Sequence, residues 1–308
     1  MIASAERPLA VVAGSGWTPG RVDRFREWAE GWRIPVVTGF RRQDLIDNLS
    51  PLYVGTIGLG VHPHVSEALT QADLVLIVAN HVDGMTKRAL KRAQQVERVT
   101  LETLPAGGGD KLWGDWHDRY EERVASGTWA AFVRSLQERL PEAIVTNGAG
   151  LFSRLPQQHW VFRRFPSQLA PPAGSMGYGL PAALAAKLAF PERPAICFTG
   201  DGDFLMNGQE LATAAQYRAP ILVALVNNGE YGTIRSHQER MHPDEAPYGI
   251  ELQNPDFSVL ARAYGAHGER MAWPGDFEPA LDRCLEALAE GRSALLELVV
   301  NSSPSEPL

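Results

Sequence analysis

Two short apolar runs constrain this chain more than any other feature. The first, Pro194 to Phe198, leads into Gly200-Asp201-Gly202, and the second, Pro220-Ile-Leu-Val-Ala-Leu-Val226, stops at Asn227-Asn228. Each has the length of a strand buried on both faces, and each stops at turn chemistry. Between them Phe204, Leu205, Leu211, Ala215 and Tyr217 are among the apolar positions of a helical pattern. A strand, a crossover helix and a second strand make a parallel pair, and a parallel sheet needs helices over both faces. The expected class is therefore α/β. Ligands of such open sheets bind outside the carboxyl ends of the strands, which is where both polar turns fall.

The alternation extends in both directions. Toward the N-terminus, Leu9–Ala13 reads as a strand ending at Gly14-Ser-Gly16, followed by a helix from Pro19 to Gly31 with Val22, Phe25, Trp28 and Ala29 on one face. Strand-like Pro35–Thr38, a polar turn at Arg41–Asp44 and a glycine-rich stretch, Gly55–Gly60, come next. A helix over Pro63–Ala72 and a strand over Asp73–Val78 close this unit. Helix-like Thr86–Gln95 and strand-like Arg98–Leu101 lead to Pro105-Ala-Gly-Gly-Gly109, the strongest linker signal in the chain. Lys111–Arg123, charged and bearing Trp113 and Trp116, reads as a connecting helix, and Trp129–Leu140 as an amphipathic one. Beyond it, strands are expected at Ala143–Thr146, Ala195–Thr199, Ile221–Val226 and Ala294–Val300, with Trp160–Arg164 a weaker candidate. Helices are expected at Gly177–Ala189, Asn207–Tyr217, Ser258–Tyr264 and Phe277–Ala289. The small, polar tail from Ser302 to Leu308 is expected to be disordered.

Composition excludes several classes of partner. A net charge of −7 with both signs mixed leaves no basic footprint for nucleic acid. No run approaches the roughly 20 apolar residues of a membrane span, and the charged start, Met1-Ile-Ala-Ser-Ala-Glu-Arg-Pro8, does not resemble a signal peptide. Cys197 and Cys284 sit inside apolar patterns and read as buried thiols of a reducing compartment, so a cytoplasmic protein is expected. Gly14-x-Gly16 lacks the third glycine and the acidic partner of a dinucleotide fingerprint, so it reads as a turn. His62-Pro-His64 has no third ligand at suitable spacing and reads as a surface loop. Arg41-Arg42 and Arg163-Arg164 read as solvated or interface charges, and His237 reads as a helix-surface residue or one near the substrate.

Chemistry concentrates at Asp201. Glycines on both sides let the backbone approach a ligand, and the following helix start favours an anion such as a phosphate. A carboxylate there would repel that anion unless a cation lay between them. A hard divalent ion solves this by joining a few protein oxygens to phosphate oxygens. Asn228, at the end of the next strand, is placed to give the second oxygen. Alone, Asp201 would be a helix cap and Asn227-Asn228-Gly229 a turn. Together they read as a Mg²⁺–diphosphate anchor.

Gly200-Asp201-Gly202 followed 25 residues later by Asn227-Asn228 resembles the thiamine-diphosphate-binding motif of the transketolase/decarboxylase superfamily. The flanking stretches Ala170–Ala183, Gly202–Thr213, Tyr231–Arg240 and Asn254-Pro-Asp-Phe257 resemble acetolactate-synthase-like proteins, and the likeness covers nearly all of Ala143 to Val300. From Pro8 to about Thr86 the chain is similar to that family's central domain, shortened thereafter. The resemblance implies a central Rossmann-like domain over 1–105, a connecting segment over 106–127 and a thiamine-diphosphate-binding domain over 128–308. Both have parallel sheets flanked by helices.

The resemblance also implies roles. Asp201, the Asn228 side chain and the backbone carbonyl of Glu230 would bind Mg²⁺. The backbone around Gly202 and Asp203, next to Gly200, would hold the diphosphate, with Tyr231 and Gly232 beside it, and Gly174, Ser175 and Met176 would meet the aminopyrimidine. Met176 would sit under thiamine diphosphate and impose its bent form, so that a 2-oxo acid such as pyruvate could be decarboxylated and ligated. The family's activating glutamate belongs to an N-terminal pyrimidine-binding domain, which is expected to be missing here. No catalytic residue is therefore nominated in this chain. The expectation is a homodimer, or a hetero-oligomer with a pyrimidine-domain subunit. The alternatives are a truncated or non-catalytic cofactor-binding protein, and a subunit of a different 2-oxo acid decarboxylase or oxidase.

Overall fold

A computed structural model of the protein describes residues 2–300, so the expected disorder of Ser302–Leu308 lies outside the described residues. The described residues divide into two compact units: 2–130 with 157–168, and 131–156 with 169–300.

The first unit carries strands β1 (Pro8–Val12), β2 (Val36–Thr38), β3 (Tyr53–Thr56), β4 (Leu74–Val78) and β5 (Val96–Val99) in a parallel sheet of order β3-β2-β1-β4-β5. Helices α1 (Pro19–Trp32), α2 (Pro63–Gln71), α3 (Gly84–Leu90) and α4 (Trp116–Val124) accompany it. Two apolar cores lie on opposite faces of β1: Ala10 and Val12 join Phe25, Ala29 and Trp32 of α1, while Leu9 and Val11 join Val65, Ala68 and Leu69 of α2. That alternation within one fully buried strand is the signature of a sheet covered on both sides.

The expected linker segment is part of this unit. Trp116 and Tyr120 of α4 are buried, and Tyr120 packs edge-on against Tyr53 of β3 at 4.7 Å. The unit also recruits 157–168, which lies within the expected second domain over 128–308. The buried Asp44 carboxylate accepts from the backbone N–H groups of Ser167 and Gln168 at 3.0 and 3.1 Å, and Asn48 Oδ1 accepts from Phe162 N at 2.9 Å. The bond from Phe162 N satisfies a backbone group that a strand over Trp160–Arg164 would have paired in a ladder, and no strand forms there.

Helices α5 (Thr128–Arg139) and α6 (Arg154–His159) each begin in one unit and end in the other, the second unit holding 131–139 and 154–156 of them. The second unit also carries strands β6 (Ile144–Asn147), β7 (Gln168–Leu169), β8 (Ala195–Gly200), β9 (Leu222–Asn227), β10 (His267–Trp273) and β11 (Ala294–Val300), in the order β10-β11-β9-β8-β6-β7. Its remaining helices are α7 (Gly179–Ala189), α8 (Asp201–Asn207), α9 (Glu210–Gln216), α10 (Gly232–Met241), α11 (Phe257–Ala263) and α12 (Glu278–Ala289). β8 and β9 are parallel neighbours, with Ile196 opposite Leu222 and Gly200 opposite Val226. Their carboxyl ends therefore lie side by side. The helical pattern after Gly202 is split: α8 ends at Asn207, and Leu205 and Met206 are exposed. Cys197 and Cys284 are free and buried, as expected. Among the described residues no helix is long and apolar enough to cross a membrane.

Candidate cofactor site

β8 delivers Asp201 as the first residue of α8, and β9 ends at Asn227, with Asn228 next. Between them opens a cleft of about 500 Å³. Met176, Gly200, Asp201, Gly202, Asp203, Asn228, Glu230, Tyr231 and Gly232 line it. Gly174 and Ser175 do not. Ser175 borders a second, shallower cleft over α7, which Met176 also lines, and Gly174 is solvent-exposed.

The Asp201 side chain is almost wholly buried. Its Oδ1 accepts from Gly202 N at 2.9 Å, and its Oδ2 from Gly229 N at 2.8 Å and Asn254 Nδ2 at 2.7 Å. Burial pushes its pKa upward, and these hydrogen bonds pull the other way without restoring the ordinary value. No cationic side chain is paired with it among the described ion pairs. A buried carboxylate held only by neutral donors is a place where a cation would be strongly stabilised.

The donor set fits a hard ion. Asn228 Oδ1 receives only a long contact from Glu230 N, 3.4 Å, and the Glu230 carbonyl accepts from Gly232 N at 3.0 Å while keeping a second lone pair. Among the described residues no three His, Cys, Asp or Glu converge on a metal position. A carboxylate, an amide oxygen and a carbonyl are oxygen donors of the kind Mg²⁺ takes. The Glu230 carboxylate itself turns aside, to Arg235 Nε at 2.9 Å.

The glycines serve close approach. A Cβ on Gly202 would stand 2.5 Å from the Tyr231 ring, and one on Gly200 2.7 Å from Phe152. Two aromatic rings thus occupy the space that side chains on the strand-end turn would fill. The Asp203 side chain is engaged away from the cleft. Its Oδ1 accepts from Ala149 N (3.1 Å) and Gly177 N (3.0 Å), and its Oδ2 from Thr199 Oγ1 (2.7 Å). It fastens the loop after β6 and the Met176 loop to the end of β8.

Several neighbours were not nominated from sequence. Ala149, Gly150, Leu151 and Phe152 reach the cleft from the loop after β6, with no motif to mark them. Asn254 stands directly before Pro255 in the family-like Asn254-Pro-Asp-Phe257 stretch, but nothing local signals its contact with Asp201. Its Oδ1 is buried without a partner, a defect that costs about 1–3 kcal/mol elsewhere. His237 is exposed on α10.

In the first unit, two expectations are corrected. His64 is not on a surface loop. It is buried in the first turn of α2, its Nε2 2.8 Å from the Val54 carbonyl and its Nδ1 2.5 Å from His62 Nδ1. Arg41 is not solvated: it is buried, its guanidinium 4.4 Å from the centre of the Phe40 ring.

The thiamine pyrophosphate enzyme C-terminal TPP binding domain matches residues 148–298, and the thiamine pyrophosphate enzyme central domain matches residues 1–105. The chain belongs to the thiamine pyrophosphate enzyme family. This family member is 29% identical to the acetolactate synthase large subunit of Parasynechococcus marenigrum (strain WH8102), over 88% of this chain and 51% of the relative. It is 39% identical to that of Buchnera aphidicola subsp. Schlechtendalia chinensis, over 97% of this chain and 60% of the relative. The solved thiamine diphosphate-dependent 4-hydroxybenzoylformate decarboxylase of Rhodococcus jostii RHA1 aligns with a TM-score of 0.72 at 25% identity, covering 99% of this chain and 63% of that one. The chain thus spans about half to three-fifths of the length of these relatives.

Proposed function

We propose that this chain anchors thiamine diphosphate through Mg²⁺ and serves an acetolactate-synthase-like reaction, decarboxylation and carboligation of a 2-oxo acid such as pyruvate. The observation that carries this is Asp201: a buried carboxylate with neutral donors only, sharing one cleft with Asn228 and the Glu230 backbone. Asp201, Asn228 and the Glu230 carbonyl would hold the cation. The backbone at Gly200, Gly202 and Asp203 would face the diphosphate, with Tyr231 and Gly232 beside it. Met176, half-buried where the two clefts meet, would support the cofactor from below, and Gly174 and Ser175 would border its pyrimidine end. When bound, the cofactor supplies an electron sink for cleavage of the bond to the carboxylate. The walls formed by Phe152, Leu151 and Ile234 would exclude water from the reacting centre.

We further propose that the chain works as a homodimer, or as a hetero-oligomer in which another polypeptide supplies a pyrimidine-binding domain that completes the site, and that the assembly works in the cytoplasm. The domain division proposed with it is a central domain over 1–105, a connecting segment over 106–127 and a cofactor domain over 128–308. Isothermal calorimetry tests the anchor: thiamine diphosphate should bind in millimolar Mg²⁺ and not in EDTA, and metal-independent binding would refute it. The purified chain by itself should not decarboxylate pyruvate at a useful rate, and robust turnover would refute the need for a completing domain. The likeness to the Rhodococcus decarboxylase favours one second reading, a subunit of a different 2-oxo acid decarboxylase. With the completed assembly, preference for an aryl 2-oxo acid over pyruvate would select it.

A further inference from the structure

Glu297 of β11 is fully buried, and its Oε1 accepts from Asn227 Nδ2 at 2.7 Å. That contact turns the amide of Asn227 so that its nitrogen faces β11 and its Oδ1 faces the opposite way. There Oδ1 accepts from Gly229 N at 3.1 Å and from Asn254 Nδ2 at 2.9 Å. The same Asn254 nitrogen gives its second proton to Asp201 Oδ2 at 2.7 Å. Turned over, Asn254 would set its oxygen against two acceptors with no proton between them. The row Glu297–Asn227–Asn254–Asp201 therefore has one orientation, fixed by an acceptor at each end.

We propose that Asn254 is a positioning residue which, oriented by Glu297 through Asn227, holds Asp201 so that Oδ1 is the oxygen offered to the cation. This rests on the assignment of Asp201 as the cation ligand and adds to it which oxygen is used and what sets it. Oδ2 already has two donors and Oδ1 only one, so the open lone pair is on Oδ1. An asparagine kept for packing would satisfy both ends of its amide. Asn254 spends both protons of Nδ2 on the site and leaves Oδ1 buried without a partner.

The backbone around it is anchored on both sides. Leu252 N donates to the Gly229 carbonyl at 2.8 Å, Pro255 disfavours helix at Asn254, and Asp256 caps α11 by accepting from Val259 N at 3.0 Å.

The test uses the full chain with thiamine diphosphate, titrated with Mn²⁺ as a Mg²⁺ surrogate. Free Mn²⁺ is read by electron paramagnetic resonance, and thermal melting is run in parallel. Asn254→Leu should weaken Mn²⁺ binding about tenfold, as loss of groups that orient a metal ligand commonly does. Glu297→Leu should weaken it severalfold, whereas Glu297→Gln, which keeps an acceptor oxygen for Asn227, should stay near the wild-type value. A lowered melting temperature with unchanged Mn²⁺ affinity in Asn254→Leu would leave the residue only a packing role and overturn the proposal. Should Asn254→Leu not fold, the Glu297 pair decides: equal affinities in the Leu and Gln variants overturn the relay. If Asp201→Ala also binds Mn²⁺ normally, the cation assignment itself fails and the proposal falls with it. Impaired binding in Asp201→Ala beside intact binding in Asn254→Leu overturns the proposal alone.

Discussion

Both units end a central parallel strand in a glycine-bearing turn, yet only one turn is open. After β1, Gly14-Ser15-Gly16 closes around a side chain from the turn that follows the neighbouring strand β4. Asn80 Oδ1 accepts from Ser15 N at 3.0 Å, and a Cβ on Gly14 would lie 2.5 Å from that oxygen. After β8, Gly200-Asp201-Gly202 meets a neighbouring strand whose asparagines point elsewhere: Asn227 toward Glu297, and Asn228 into the cleft. The turn chemistry is alike, and the difference comes from the next strand. A strand-end turn is a ligand site only when its neighbour leaves the backbone N–H groups free or supplies a ligand of its own.

This contrast can be broken experimentally, beginning where the effect is greatest. Asp201→Ala should reduce Mg²⁺-dependent thiamine diphosphate affinity by more than about a hundredfold, since it deletes the carboxylate proposed to hold the cation. Calorimetry giving an unchanged affinity would place the anchor elsewhere. Gly202→Ala should cost about 1–3 kcal/mol in chemical denaturation, because the new methyl meets the Tyr231 ring at 2.5 Å. A neutral result would mean that the ring yields freely and does not wall the cleft.

Asn80→Ala removes the plug from the first turn. It should lower stability by about 0.5–1.5 kcal/mol, for one lost hydrogen bond, and should create no affinity for NADH or ATP by fluorescence titration. Nucleotide binding by that variant would show that the plug alone separates the two turns.

The smallest effect concerns acid. Burial pushes the His64 imidazole down to about 4, with His62, Arg119 and Arg123 adding to the shift and the Val54 carbonyl opposing it. The unfolded chain takes up this proton near 6.5, while the native ring does not until about 4. Stability from this group is therefore complete above 6.5 and declines as pH falls toward 4. His64→Gln should flatten that decline in denaturant midpoints measured between pH 7 and pH 5. Equal slopes in the two proteins would assign the acid sensitivity to other groups.

Strands β8 and β9 were legible because a strand buried on both faces is written as an unbroken apolar run. β10 was not, because His267-Gly-Glu-Arg-Met-Ala-Trp273 is an edge strand with half-exposed polar positions and carries little apolar signal. β3 hid behind Tyr53 and Gly55, the latter at φ 139°, in what reads locally as a glycine-rich loop. At the site, Asp201, Asn228 and Met176 were nameable from motif and resemblance. Phe152 and the orientation of Asn254 were not, because each acts through partners distant in sequence.

By itself the sequence determined the alternation of strand and helix, the two polar turns at the carboxyl ends of β8 and β9, and the placing of Asp201 between two glycines. These follow from hydrophobic period and turn chemistry, which act over a few residues. Tertiary structure alone decided that Asn80 closes one turn and that Asn254 reaches Asp201 from 53 positions away. It also buried His64 and drew 157–168 into the first unit. Such contacts depend on which surfaces the packed sheets bring within hydrogen-bonding distance, and no local pattern encodes that.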